Sequence, residues 1–471
     1  MSAAQLKADG ALAGSAIATD ARVDRGFARR DAVSAFAIRC ASAALLYITQ
    51  VALARWMGAN EYGVYVSVWT AIMIVGGMAT LGLNLGVMRL VPVHQEGGDP
   101  DGLRGLVVGS RAMAAGLGLM VALAGSHVLW LIPMSADHRA AAAIMLLCLP
   151  FYAISDMQDG LGRGHGWIAP GLVPPYIFRP NLLIAGMAAA WATGLEMTAS
   201  TAAAVIVWAV AAAAVLQAAW LHRLFTASHG AGPRRYAPRA WIASSLPLLG
   251  IAGAELALQN TDVMVLSRYA TPAEVAMYFA AAKTMALMMF VHYAVGSAMA
   301  SRFAGLHERA DAAGLQAVVR DAVRWTFWPS VAVAVAILAV GRPVLSLFGP
   351  GFADGYPIMA ILVGGFLARS AMGPAEVLLN MMGKQRTCAV IMLAGAAVSL
   401  GLNLLLVPAY GGTGAAIATA IALATVGLLN GWIVERHLGL RVAIWRNARC
   451  NTPRRSRVLR RRSASTREAC S

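Results

Sequence analysis

Charge is scarce in this sequence. Asp, Glu, Lys and Arg make up 13% of the residues, about half the share of a soluble domain. The hydrophobic fraction is 59% and the mean hydropathy +0.64. A chain of 471 residues can bury a large soluble core, but a large core does not halve the charge at the surface. Replacing water by lipid does. Also missing is any polar stretch long enough for a soluble α/β domain, which excludes a nucleotide-binding catalytic module. The alternating ten-residue pattern of barrel strands is absent too. Cysteine is scarce: Cys40, Cys148 and Cys388 lie in apolar runs, while Cys450 and Cys470 lie near the end. No pair has metal-ligand or redox spacing, so neither a metal nor a cofactor is implied. Residues 1–32 are polar and Ala-rich without the apolar core of a signal peptide, and read as a disordered cytoplasmic leader.

What is present is a succession of apolar runs, each long enough to cross about 30 Å of hydrocarbon. They fall near 33–56, 64–88, 107–132, 140–158, 167–193, 199–222, 241–266, 275–300, 326–348, 356–381, 387–408 and 413–435. The expected fold is all-α and integral to the membrane, with about twelve transmembrane helices. The net charge of +16 is local. A tail from 439 to 471 carries Arg446, Arg449, Arg454, Arg455, Arg457, Arg460, Arg461, Arg462 and Arg467. Beside a membrane domain such a tail is expected to rest on anionic lipid, not on nucleic acid. Loops of one parity hold Arg89, Arg104, Arg163, Arg223, Arg234, Arg235, Arg239, Arg302, Arg309, Arg320, Arg324, Lys384 and Arg386. The opposite side holds Arg55, Arg139, Arg268 and Arg342. The imbalance predicts both termini in the cytoplasm.

The chain also repeats. Residues 53–65 read LARWMGANEYGVY and residues 266–278 read LSRYATPAEVAMY. Arg55, Glu61 and Tyr65 align on Arg268, Glu274 and Tyr278 at one offset of 213 residues (268 less 55), which also carries Arg89 onto Arg302. The matches predict two six-helix halves in parallel orientation, 33–222 and 241–438, joined by a basic cytoplasmic linker at 223–240. Such halves enclose a central path that opens to alternate sides.

The stretches LARWMGANEYGVYVSVWTAI and LGLNLGVMRLV resemble the opening of bacterial oligosaccharide flippases of the multidrug/oligosaccharidyl-lipid/polysaccharide exporter superfamily. DVMVLSRYATPAEVAMYFAAAK, LFGPGFADGYPIMAILVGGFL and LNLLLVPAYGGTGAAIATAIA extend the likeness over residues 33–435. Thr80 departs from it, standing where many relatives have an acid. The resemblance implies a non-enzymatic protein of the bacterial inner membrane. Its expected task is to move a polyprenyl-diphosphate-linked oligosaccharide to the outer leaflet for exopolysaccharide, capsule or O-antigen assembly. A polysaccharide polymerase and glycosyltransferases are the partners it suggests. Competing readings are a cation-coupled multidrug extruder of the same superfamily and a membrane glycosyltransferase or polymerase. A lipid II flippase is a neighbour, but usually carries about two extra helices.

A charge at mid-membrane costs about 2.5–3.5 kcal/mol on insertion scales and so asks for a reason. Arg179, Lys283 and Arg369 meet that test, and the resemblance puts a basic residue often at the place of Lys283. They are candidates for neutralising a diphosphate or acidic glycan, Arg by forked contacts. Structural pairing is the competing role. Glu255, Asp262 and Glu376 are the intramembrane acids, candidates for charge pairing or ion coupling. Counted from the turn near Ala270, Asp262 lies about 12 Å deep, Glu255 about 22 Å and Lys283 about 20 Å, which matches Glu255 with Lys283. Arg369 and Glu376 stand two turns apart on one face and are not expected to bond. Pro174, Pro175, Pro180 and Pro374 predict kinks beside two of the cations. His292 reads as a packing residue, Asn403 and Thr419 as interhelical hydrogen-bond partners. Asp99-Pro100-Asp101 has the DxD form of metal-binding glycosyltransferases, but in GDPDG it reads as turn chemistry.

Overall fold

A computed structural model of the chain describes residues 3–309 and 311–447. Among them every regular element is helical. Eight helices are long and apolar enough to cross a membrane, nine if one bent pair counts as a span. Two of the eight, Cys40–Glu96 and Gln385–Leu438, run for 57 and 54 residues. Either would be far longer than a bilayer if straight. Each instead folds back at a glycine in a non-helical conformation, Gly58 (φ 76°) in the first and Gly411 (φ 52°) in the last. A side chain there would be strained, so these glycines make the outer turns that the apolar runs required.

In chain order the helices are α1 (Ala3–Ala79), α2 (Leu83–Glu96), α3 (Pro100–Leu131), α4 (Ala136–Leu146) and α5 (Cys148–Gly164). They continue with α6 (Ile168–Val173), α7 (Arg179–Ala192), α8 (Ala199–His229), α9 (Pro238–Tyr269), α10 (Pro272–Met285) and α11 (Met289–Glu308). The last are α12 (Ala312–Ser346), α13 (Tyr356–Ser370), α14 (Ala375–Met381), α15 (Gln385–Leu438) and α16 (Ile444–Asn447). All twelve apolar runs are helical, and the chain is a multi-pass membrane protein. The breaks have local causes. Pro174 and Pro175 remove two backbone donors and turn residues 174–178 into a π-helical bulge between α6 and α7. Leu81 takes a positive φ (51°) between α1 and α2.

Two expectations at the chain ends change. α1 runs back to Ala3 through the stretch expected to be disordered, which is rich in helix-favouring Ala and contains no proline. The basic tail does not begin free at 439. Leu440, Val442 and Ala443 are buried, Gln316 exchanges two hydrogen bonds with the Arg441 backbone, and the Ile444 N–H donates to the Ala371 carbonyl. Residues 448–471, with most of its arginines, lie outside the described residues.

The repeat has a physical counterpart. The Glu61 carboxylate accepts the Ala199 N–H at 2.7 Å, where α8 begins. The Glu274 carboxylate accepts the Gly412 N–H at 2.6 Å, where the second arm of α15 begins. Gly412 follows Ala199 by the same 213 residues (412 less 199) that separate the glutamates. In each half an acid therefore caps the first free donors of that half's last helix.

Packing differs at the two ends of the bundle. At the Glu61/Glu274 end one continuous core crosses both halves, with Tyr62, Tyr65, Phe279, Phe348 and Phe352 inside it. Gly63 lets the strands of backbone meet there: a Cβ would sit 1.8 Å from the Pro272 carbonyl oxygen. At the opposite end, where Arg163, Arg235 and Arg302 lie, the core divides. One cluster contains residues of the first half plus Trp241, the other residues of the second half. The molecule is sealed at one end and parted into two cores at the other.

Candidate functional site

Between the halves lies a cavity of about 510 Å³. The first arm of α1 contributes Tyr47 and Gln50, the second Trp69 and Thr70, and α5 Tyr152, Asp156 and Asp159. Arg179 enters from the start of α7, Gln259 and Asn260 from α9, Phe279 and Lys283 from α10. Its roof is tied across the halves: the Tyr47 hydroxyl shares a hydrogen bond with Thr284 (3.0 Å), and Tyr47 meets Phe348 edge to face at 5.6 Å. Tyr62 meets Phe279 and Phe352, each at 6.3 Å, and donates to the Gln50 side-chain oxygen at 2.7 Å. Such aromatic pairs add roughly 0.5–1.5 kcal/mol each beyond their area. That matters inside a membrane, where lipid leaves little hydrophobic drive between helices.

Two of the three candidate cations reach the cavity. The π-bulge ahead of Arg179 sets its guanidinium 5.7 Å from the Trp69 ring centre and 6.0 Å from Tyr152. Lys283 holds its ammonium 4.6 Å over Phe279. Both rest on aromatic faces, which attract a cation without neutralising it. Arg369 is elsewhere. Its Nη2 donates to the Glu376 carboxylate at 3.1 Å, against the expectation that the two would not bond. That expectation assumed a straight helix, whereas α13 ends at Ser370 and α14 starts at Ala375 beyond Pro374. The intervening turn brings the two charges together.

The acids also sort differently. Asp262, in α9, accepts from the Tyr278 hydroxyl at 2.5 Å and from Thr419 at 3.2 Å, and is 6% exposed. Its charge acts on Lys283. Glu255, matched to Lys283 by depth, instead accepts a hydrogen bond from Gln259 one turn along α9. Thr419 joins α15 to α9 and α10 as expected. Asn403 does not bridge helices through its amide nitrogen, which bonds Ser399 one turn back. His292 packs edge-on to Phe366 at 6.4 Å.

Two functional candidates were passed over in the sequence. Asp156 accepts the Asn84 amide at 2.8 Å, and Asp159 binds Arg163 through a fork of 3.0 and 2.8 Å. Their signal was present as SDMQD: Asp156 lies inside the apolar run that ends near 158, and Asp159 just beyond it. The helix continues to Gly164 and carries both into the cavity wall. With Asp159 held by Arg163, the wall presents two cations, Arg179 and Lys283, against one acid, Asp156.

The DxD stretch is a turn in the structure. Asp99 caps α3 by accepting the Gly102 N–H at 3.0 Å, and it also bonds His94 and Arg235. The Gly102 donor, helped by His94 and Arg235, holds its carboxyl below the usual carboxylate range. Asp101 pairs with Arg104 at 2.9 Å, and its carbonyl accepts the Arg235 N–H. Both aspartates thus fasten the linker to the first half.

No protein-family model and no curated protein matches the chain. Solved structures do share its fold. An inward-facing multidrug resistance MATE family transporter of the MOP superfamily superposes with a TM-score of 0.68 at 14% identity, over 86% of this chain and 96% of its own. The lipid II flippase MurJ in an inward closed conformation gives 0.69 at 12%, over 86% and 87%. A MOP superfamily transporter from Pyrococcus furiosus Vc1, titled for a binding pocket of reverse polarity that suggests a different function, gives 0.57 at 14%, over 85% and 93%.

Proposed function

We propose that the chain is an alternating-access flippase of the inner membrane. Its substrate is a polyprenyl-diphosphate-linked oligosaccharide, carried to the outer leaflet for exopolysaccharide, capsule or O-antigen assembly. The observation that supports this most is the cavity shared by both halves, with Arg179 and Lys283 on its wall and aromatic packing across one end. An anionic diphosphate complements the two cations of the cavity wall, which rest on ring faces, and Arg179 can offer it a fork. Rocking of the halves would exchange the sealed end. No covalent bond changes in this cycle, so no catalytic residue is assigned.

A cation-coupled multidrug extruder is the second reading, favoured by one observation: the acid Asp156 also lines the cavity, where it can attract a cationic drug. The two readings separate in cells lacking the chain. Complementation by Arg179→Gln or Lys283→Gln at normal membrane level should reduce extracellular polysaccharide while the lipid-linked precursor accumulates. Full polysaccharide output by both variants, with loss of drug resistance in Asp156→Asn, would favour the extruder.

A further inference from the structure

A second cluster of donors lies outside the cavity, at the basic end of the first half, where α3, α5 and α8 meet. Arg111 of α3 is half-buried, and its Nε is closed off from solvent without a hydrogen-bond partner. Among the described residues its guanidinium makes no ion pair. Partial burial without a partner costs a charge part of its hydration, and an anionic ligand can restore it. Three acids of this end are engaged elsewhere: Asp101 by Arg104, Asp99 by His94 and Arg235, Asp159 by Arg163.

Two imidazoles share the region. His165, at the end of α5, donates from Nδ1 to the Leu161 carbonyl at 2.8 Å, which leaves its Nε2 buried and unpartnered. His229, at the end of α8, has an unpartnered buried Nδ1, while its carbonyl accepts Arg104 at 2.7 Å. The rings are 6.0 Å apart, and each is fixed by stacking, His165 on Trp167 at 4.5 Å and His229 on Phe225 at 4.7 Å. Arg111 and His229 each add positive potential at His165. Two imidazoles are thus held in place by stacking, and the Arg111 charge acts on the same region.

The geometry points to a phosphate-binding site formed by Arg111, His165 and His229. A phosphate group brings several acceptor oxygens and the missing negative charge. A guanidinium can fork onto two of its oxygens, and an imidazole N–H can donate to another. Arg111 stands about one turn inside the apolar run that begins near 107, the depth at which headgroups meet hydrocarbon, and Trp167 is an interfacial residue type. The phosphate is supplied either by a lipid headgroup of the adjacent leaflet or by a soluble anion.

The test is thermal unfolding of the full chain in phosphate-free dodecyl maltoside, with either short-chain phosphatidylglycerol or inorganic phosphate titrated in at constant ionic strength. The wild type should gain several degrees in midpoint with at least one probe. Arg111→Gln and His229→Gln should each lose at least half of that gain, while Arg302→Gln, an exposed arginine of the other half, should keep it. A gain from the lipid identifies a headgroup site, and a gain from inorganic phosphate alone identifies a soluble anion. Should Arg111→Gln not fold, Arg111→Lys and His229→Gln carry the comparison, with Arg111→Lys keeping part of the gain. No gain in the wild type, gains equal to wild type in the variants, or an equal loss in Arg302→Gln would overturn the site.

Discussion

Replacing Glu61 or Glu274 by Ala tests the symmetry of the two halves as energy. Each carboxylate accepts one backbone N–H at the start of its half's last helix, at 2.7 and 2.6 Å, and each is partly buried. Removing the acceptor leaves that N–H without a partner at a cost of about 1–3 kcal/mol. Losing a negative charge beside a helix N-terminus adds roughly 0.3–1 kcal/mol. About 2 kcal/mol per site follows, which over 471 residues is a shift of about 2 °C in the unfolding midpoint. Gln keeps an acceptor oxygen and loses only the charge, so Glu61→Gln and Glu274→Gln should cost about half as much. The two sites serve different helices, and the double variant should lose close to the sum. The assay is thermal unfolding of purified protein in one detergent, read by a thiol-reactive dye on the buried cysteines. Unchanged midpoints in both Ala variants, or a loss at one site and none at the other, would refute the reading of a shared cap.

Three further outcomes are expected. Reporter fusions at Arg235, Arg309 and Lys384 should report cytoplasm and those at Thr198, Thr271 and Gly411 the outside, following the Lys/Arg imbalance; a cytoplasmic signal at Thr271 would break the two-half arrangement. Ending the chain near Ala448 should leave insertion and transport intact, since the docked stretch 440–444 is kept; lost transport at normal membrane level would give the tail a specific role. Arg369→Gln should lower the protein level by unpairing Glu376, with transport per molecule unchanged; a normal level with lost transport would return Arg369 to the substrate path.

The fold was legible because lipid imposes long apolar runs, and the repeat because Arg55, Glu61 and Tyr65 recur with their spacing intact. The site was legible in part. A charge inside an apolar run marks itself, which identified Arg179, Lys283 and Asp262. Asp156 and Asp159 were missed: the run near 140–158 contains the first and stops just short of the second, while the helix and the cavity continue. Arg369 and Glu376 were separated by an ideal helix that Pro374 does not allow. The caps at Glu61 and Glu274 were visible as a motif but not as contacts, since their partners lie 138 residues away.

The central claim is that Arg179 and Lys283 hold an anionic lipid-linked substrate during its passage. Its most direct measurement is translocation of a labelled polyprenyl-diphosphate oligosaccharide across vesicles holding equal amounts of wild type, Arg179→Gln or Lys283→Gln. A charge-assisted contact contributes about 1.5–3 kcal/mol, so each variant should slow translocation by about tenfold or more. Wild-type rates in both variants would contradict the account.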